Sequence, residues 1–417
     1  MIKPDTGMLD AGRAGESCTP TWMDRVARTF VLRALGRFPS SGVVLQEPDG
    51  TRVRIGQQPA EAEIRVVDWR VYRMLFTGGG LGAAEAYMEG LWASDDLVAV
   101  VRFFAANVVP MQQLDRGLAR MLKPLRLMLH TLNRNSIRGS RRNISAHYDL
   151  GNSFFSLFLD PTMMYSSAIY REQDVSLDQA AVDKLDLVCR KLDLAARHHL
   201  LEIGTGWGGM AIHAAKHYGC RVTTTTISRE QYEYACEAVR REGLEHLVTV
   251  LDQDYRDLSG KYDRIVSIEM IEAVGHQFLP TYFHALQSLL KEDGKLVLQA
   301  ITIPDQRYDY ALRNVDFIKR YIFPGGFLPS VAEMCRHFAT RTELVVTGIE
   351  DIGLDYARTL NDWRIRFLDN LDQVRAQGFD ERFCRMWDYY LAYCEGAFRE
   401  RAISTVQLVA AAPGWRP

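Results

Sequence analysis

The segment LLEIGTGWGG, residues 200–209, runs from an apolar strand-like stretch through an acid, Glu202, into four glycines within six residues. Glycine costs about 0.5–1 kcal/mol inside regular structure, so such a cluster marks a sharp turn or a close approach to the backbone. The next residues, GMAIHAAKHYG, have helical spacing, and then the period changes again to a strand, RVTTTTI. The pattern repeats through a helix, SREQYEYACEAVRREG, capped by Ser228. Three further strands are expected at VTVLDQD, YDRIVSIEM and GKLVLQAITI. Strands alternating with helices predict a doubly wound α/β fold with a parallel sheet. The glycines then fall in the first strand-to-helix turn, at the carboxyl edge where such sheets bind nucleotides.

Glu202 stands where a carboxylate takes the amino group of a positively charged ligand. An acid followed by this glycine turn resembles the S-adenosylmethionine site of class I methyltransferases. A glycine turn that only packs helix against strand is the alternative.

The chain has 417 residues, too many for one typical core, which predicts two domains. Apolar residues make up 47% and charged residues 24%, a globular composition. With a net charge of −2, any attraction to nucleic acid or membrane must be local. Seven scattered cysteines with no CxxC pair argue for a reducing compartment and against a disulfide framework or a metal site. The amino-terminal residues lack a signal-peptide core, and no apolar run is long enough for a membrane span. A cytoplasmic protein is therefore expected.

Residues 1–20 are expected to form a loose tail, and 21–115 a smaller α+β accessory domain for lipid contact or dimerisation. Helical spacing appears in MDRVARTFVLRALGRF, and GVVLQEPDGTRVRIG alternates as strands about Asp49-Gly50. AEAYMEGLWASDDLVAVVRFFAAN returns to helix. Residues 116–142 carry Arg116, Arg120, Lys123, Arg126, Arg134, Arg138, Arg141 and Arg142 and no acid. With Leu and Met interleaved, this is a basic amphipathic linker of the kind that lies on membrane surfaces, or else a solvated helix face. Nucleic acid is not expected as a partner, because the basic charge does not extend into a broader patch. Residues 143–417 form the expected catalytic domain.

Blocks flanking the glycine turn carry a more specific signal. In order they are HYDLGNSFFSLFLDPTMMYSSAIY (147–170), TISREQ (226–231), QDYRDL (253–258), RIVSIEMIEAVG (264–275), DFIKRYIFPGGFLPS (316–330) and YYLAYCEGAFR (389–399). Together they resemble the cyclopropane-fatty-acid-phospholipid synthase family. The resemblance implies an S-adenosylmethionine pocket built from Tyr148, Tyr165, Ser166, Glu202, Gly204, Gly206, Thr226, Ile227 and Gln231, with Asp254 and Tyr255 holding the adenine. The chemistry suits these types: an amide bonds ribose hydroxyls, a carboxylate accepts from an adenine amine, and aromatic rings cover flat or cationic surfaces.

The resemblance also implies a reaction in which a cis double bond of a membrane phospholipid attacks the sulfonium methyl. The carbocation formed then loses a proton to a bound bicarbonate and closes a ring. Water quenches such a cation, so the site must be dry. The apolar residues of RYIFPGGFLPS and IRFLDNL suit an acyl channel. The family's bicarbonate cage maps onto Glu272, Ile301 and Tyr356, with Cys394 a further candidate. Two positions depart, for Gln299 replaces a His common in bacterial members, and Ser167 replaces a Cys. Both still hydrogen-bond an anion, and plant-type members carry a similar EMIEAVG and Gln pattern. Cyclopropane formation is the expected outcome, and a methyl- or methylene-branched chain the alternative. A non-catalytic lipid-binding protein and a small-molecule methyltransferase are the other readings. A peripheral membrane association and a homodimer complete the expectations.

Overall fold

The computed structural model describes residues 19–40, 42–108 and 150–416. The linker at 116–142, the tail up to residue 18 and Tyr148 lie outside the described residues. The chain divides into two units. The first holds the described residues up to 108 together with 314–322 and 360–402, and the second the remainder from 150 onward.

The first unit begins with helix Trp22–Leu35, closed at its start by a capping box between Thr21 and Asp24. Strands β1 (Gly42–Gln46) and β2 (Arg52–Gly56) pair antiparallel across the expected turn at Asp49-Gly50, where Gly50 has φ +84°. Strand β3 (Ala60–Val66) runs parallel to β1, and β4 (Trp92–Ala93) lies against β3, giving the order β2-β1-β3-β4. The sequence AEAYMEGLWASDDLVAVVRFFAAN, expected as continuous helix, is interrupted. Helix Arg70–Met88 ends before Gly90, which has φ +72°, and Asp96 caps a new helix at Leu97–Ala106. The sequence places 360–402 with the catalytic domain, whereas the contacts place it here. Helix Glu381–Arg399 belongs to this unit, with Asp388 accepting from Tyr87 Oη at 2.6 Å and Arg102 pairing with Glu400 at 2.6 Å.

The second unit is the α/β layer structure read from the glycine segment. All five expected strands are present: β5 (His199–Ile203), β6 (Arg221–Thr226), β7 (Val248–Asp252), β8 (Tyr262–Ile268) and β9 (Leu290–Thr302). Two more, β10 (Val345–Asp351) and β11 (Ser404–Ala411), complete a sheet of order β10-β11-β9-β8-β5-β6-β7. Strands β5 to β9 pair parallel, while β11 runs antiparallel to β9 and β10 antiparallel to β11. The central strands are buried nearly throughout, as a sheet covered on both faces requires. One face packs Leu279, Phe283, Leu286 and Phe338, and the other Leu185, Val188, Met210 and Ala214. The polar run TTTT in β6 is also buried, and its hydroxyls are satisfied locally. Thr223 meets His199, Thr224 meets Glu202 and Thr205, and Thr226 meets Gln231. Buried hydroxyls with partners avoid the cost of desolvated polar groups.

Candidate active site

The glycine turn leaves β5 at the carboxyl edge of the sheet. Gly204, Gly206 and Gly208 have φ of +103°, +53° and +92°, conformations that L side chains rarely adopt. They do not serve one purpose. A Cβ on Gly209 would lie 2.6 Å from the Thr162 carbonyl oxygen and 2.9 Å from Met164 Sδ. That glycine exists so that the 152–165 segment can pack against the helix start. A Cβ on Gly206 would meet no protein atom within 4 Å, so there the constraint is the backbone alone. Aromatic residues secure the packed segment. Trp207 Nε1 donates to Asn152 Oδ1 at 2.6 Å, and the Phe155 ring lies tilted against Trp207 and edge-on to Tyr165, with centroids 5.0 and 5.3 Å away.

Glu202 is 3% exposed and accepts one hydrogen bond, from Thr224 Oγ1 at 2.6 Å. Burial pushes its pKa up to about 8, opposed by the hydrogen bond and by Lys184. A carboxylate so poorly solvated is stabilised by a cation brought beside it. Lys184 is itself buried, donates to Ser166 Oγ at 2.9 Å, and is pushed down to about 8 by burial. Thr226 Oγ1 donates to Gln231 Oε1 at 3.0 Å, and Ile227 comes next at the strand end, so these three expected residues share one edge. Asp254 opens the loop after β7, but both its oxygens receive the Arg256 guanidinium, at 2.8 and 2.6 Å. The arginine is therefore a partner that the sequence did not point to. Tyr255 lies against Tyr282 with ring centroids 5.5 Å apart.

The second cluster forms where β8 and β9 end. Gly204 and Met270 connect it to the glycine turn, since a Cβ on Gly204 would approach Met270 Cγ to 3.2 Å. Glu272 Oε1 accepts from the backbone amide of Ile301 at 2.6 Å, and its Oε2 is buried without a partner. Its pKa is pushed up to about 8, first by burial and then by the neighbouring Glu269. The remaining expected residues converge on Glu269, which is absent from the expected set. Glu269 Oε1 accepts from Ser167 N at 3.0 Å and from Gln299 Nε2 at 2.8 Å, and Oε2 accepts from Tyr356 Oη at 2.7 Å. Ser167 contributes its amide rather than the expected hydroxyl, which donates to the Ala168 carbonyl at 2.9 Å. Glu269 keeps partial exposure, yet protein atoms crowd its carboxyl enough for burial to raise its pKa. The three donors and Lys184 oppose that rise.

Two further features fix this arrangement. Glu269 has φ +50°, a left-handed conformation that costs a non-glycine residue about 1–2 kcal/mol. It is pinned by its own amide, which donates to the Gln299 carbonyl at 2.8 Å. The orientation of the Gln299 side chain is set from β11. Lys191 offers only donors, so Gln407 turns Oε1 toward it and Nε2 toward Gln299 Oε1, at 2.9 Å. Gln299 is thereby left presenting its amino group to Glu269.

Cys394 lies in the first unit, on helix Glu381–Arg399, and burial pushes its thiol well above the usual range. Such a thiol is a poor source of thiolate. Phe327, in the segment expected to line an acyl channel, is part of the core, and its amide donates to the Glu272 carbonyl at 3.1 Å. Glu269 stands three residues before Glu272 in RIVSIEMIEAVG, but that spacing alone does not single it out.

Comparison with known proteins identifies relatives of this chain. The family model described as mycolic acid cyclopropane synthetase matches residues 135–408. The cyclopropane-fatty-acyl-phospholipid synthase of Escherichia coli K12 is 39% identical over 84% of this chain and 88% of its own length. The tuberculostearic acid methyltransferase of Mycobacterium tuberculosis is 38% identical over 79% of this chain and 78% of its own. Among solved structures, a mycolic acid cyclopropane synthase complexed with SAH and CTAB superimposes with a TM-score of 0.61 at 31% identity. That match covers 65% of this chain and 98% of the other.

Proposed function

The chain belongs to the mycolic acid cyclopropane synthetase family, and on that premise we propose that it adds a one-carbon unit from S-adenosylmethionine to a cis double bond of a membrane phospholipid's acyl chain, closing a cyclopropane ring. The observation that carries this reading is the convergence of three hydrogen-bond donors on one carboxylate beside the glycine turn. A small-molecule N- or O-methyl transfer needs no such fixed anion. A carbocation route does, because a proton must leave carbon.

The residues at the glycine turn fit the cofactor. Bound S-adenosylmethionine supplies an electrophilic methyl on a sulfonium. Glu202 would pair with its amino group, and Gly204 and Gly206 would border its chain. Thr226, Ile227 and Gln231 would hold the ribose edge, and Asp254 with Tyr255 the adenine. Tyr165 and Ser166 would close the pocket on the side of the 152–165 segment. Bicarbonate fits less well, since Gln299 and Tyr356, two donors that the resemblance assigns to it, end on Glu269, where the Ser167 amide joins them. Glu272, held by Ile301 N and pushed up to about 8, is a neutral acid near pH 7 with a buried, unpartnered oxygen.

The phospholipid substrate is supported by the Escherichia coli relative's name and by helix Trp22–Leu35. One face of that helix exposes Trp22, Met23, Val26 and Phe30 beside Arg25 and Arg33. Apolar anchors among basic residues suit a membrane surface. We take peripheral docking at the cytoplasmic face, aided by residues 116–142, and a homodimer as parts of the same reading. Among the described residues no helix is long and apolar enough to cross a membrane. A branched product is the second reading, favoured by the near-equal identity to a tuberculostearic acid methyltransferase. Incubation with labelled S-adenosylmethionine and cis-unsaturated phospholipid vesicles tests both. Proton NMR of the lipid is expected to show cyclopropane hydrogens near tetramethylsilane. Vinylic methylene signals would establish the branched product, and unlabelled lipid would overturn the reading.

A further inference from the structure

We propose that Glu269 is the resident base of this active site: its side chain fills the anion cage, so that the enzyme deprotonates its carbocation with its own carboxylate and works without bicarbonate. The inference rests on the lipid-alkylating function proposed above and names the group that completes it.

Three observations carry it. Gln299 Nε2 and Tyr356 Oη, expected to surround a small bound anion, are hydrogen-bonded to the Glu269 carboxylate, and the Ser167 amide adds a third donor in place of the expected hydroxyl. A planar carboxylate presents the same two oxygens, at the same spacing, as one face of bicarbonate. Second, the cage is wired to present donors. The chain from Lys191 through Gln407 leaves Gln299 with only N–H groups directed inward, a polarity that demands an acceptor. Third, Glu269 holds a left-handed backbone, φ +50°, at the end of β8, where glycine would fit with least strain. Strain of this kind at a ligand-facing position points to function.

Glu269 also meets the requirements of a base. Burial raises its pKa, and three donors and the nearby Lys184 charge oppose that rise by favouring its ionised form. Glu272 has one hydrogen bond and lies within the field of Glu269, so it is the member of the pair that keeps a proton. In the step itself, Glu269 takes a proton from the newly added carbon of the cation. The C–H electron pair becomes the third carbon–carbon bond of the ring, and the charge on the lipid is cancelled. The proton remains on the carboxyl until product leaves, when water accepts it. The same carboxylate taking a proton from an adjacent carbon would give the branched alkene instead.

The test uses the full-length protein, vesicles of cis-unsaturated phospholipid, and buffers stripped of carbon dioxide with or without added bicarbonate. Wild-type turnover is expected to be unchanged by bicarbonate removal. Glu269→Gln keeps the shape and loses the base, and should lower turnover by roughly 10²–10⁴-fold. Glu269→Gly relieves the backbone strain, should fold, and empties the cage. Added bicarbonate should then recover part of its activity, and ¹³C-bicarbonate NMR should show line broadening with this variant but not with wild type. Bicarbonate-dependent wild-type turnover, bicarbonate binding to wild type, or near-normal turnover in Glu269→Gln each overturns the proposal. If wild type binds S-adenosylmethionine but transfers nothing to lipid, the functional reading fails instead, and the NMR titration still reports whether the cage is filled.

Discussion

Two carboxylates at the edge of one sheet both have pKa values raised by burial, but different numbers of donors oppose the rise. Glu202, at the end of β5, is sealed from solvent with a single hydroxyl as donor, and its pKa rises to about 8. Glu269, at the end of β8, receives three donors and keeps partial exposure. The first is an anion only when a cation arrives, which suits a binding residue. The second has its charge stabilised by the protein in advance, which suits a base. The number of donors separates the two roles, because each hydrogen bond to a charged form favours that form.

Mutation tests this division of roles most directly. Glu269→Gln is expected to cut turnover by roughly 10²–10⁴-fold while calorimetry shows unchanged S-adenosylmethionine affinity. Glu202→Gln should do the reverse. Hydrogen bonds to charged groups contribute about 1.5–3 kcal/mol, so cofactor affinity should fall roughly 10–100-fold with turnover at saturation little altered. If both variants lose affinity equally, the two carboxylates do not divide the labour.

The glycine turn allows a second separation. Gly209→Ala places a Cβ 2.6 Å from the Thr162 carbonyl, an overlap of the kind that costs about 1–3 kcal/mol. Its effect should appear as a lower melting temperature. Gly206→Val meets no protein atom but must hold φ +53°, which costs about 1–2 kcal/mol for a non-glycine residue. Its effect should appear chiefly as weaker cofactor binding in a folded protein. Unchanged cofactor affinity in Gly206→Val would remove that turn from the binding site.

The ease of reading the two regions from the sequence differs for the same reason. LLEIGTGWGG is local, so strand, turn and helix come from adjacent residues, and the five strands around it emerge from period alone. Glu272, Ile301, Gln299, Ser167 and Tyr356 were legible through ordered family blocks. Glu269 was not, although it lies three residues from Glu272. What sets it apart is the meeting of residues 167, 299 and 356, more than a hundred positions apart at the extremes, together with a backbone angle no pattern announces. Lys184 and Gln407 were missed likewise, since a helix face and an antiparallel edge strand bring them in. The placement of 360–402 with the first unit has the same origin, in contacts such as Tyr87 to Asp388.

Titration also separates these carboxylates. Glu202 and Glu272 are each raised from an ordinary 4.5 to about 8. A raised carboxyl favours the protonated folded state, so this contribution is complete below pH 4.5 and is lost as pH climbs through 8. The melting temperature of the ligand-free protein should therefore fall between about pH 5 and 8. Glu272→Gln should remove its share of the slope at every cofactor concentration. Saturating S-adenosylmethionine should remove the share of Glu202, because a bound ammonium favours the ionised carboxylate. A slope indifferent to both changes would place the titrating groups elsewhere.

The smallest expected effect comes from farthest out. Lys191 touches neither carboxylate, yet it fixes which end of Gln407, and so which end of Gln299, faces Glu269. Lys191→Met should leave cofactor affinity unchanged and let the two amides rotate together. When they do, Gln299 presents an oxygen to Glu269 for part of the time, and one donor of the three is lost. A single hydrogen bond contributes about 0.5–1.5 kcal/mol net, so turnover should drop roughly 2–10-fold. The acid limb of the pH–rate profile should also move upward, since a carboxylate with fewer donors holds its proton to higher pH. Loss of the ion pair between Lys191 and Glu350 at the surface would by itself move stability slightly and the pH profile not at all. Glu350→Gln is therefore the control. An identical pH profile in Lys191→Met, Glu350→Gln and wild type would show that the orientation of Gln299 is held by something other than this chain of amides.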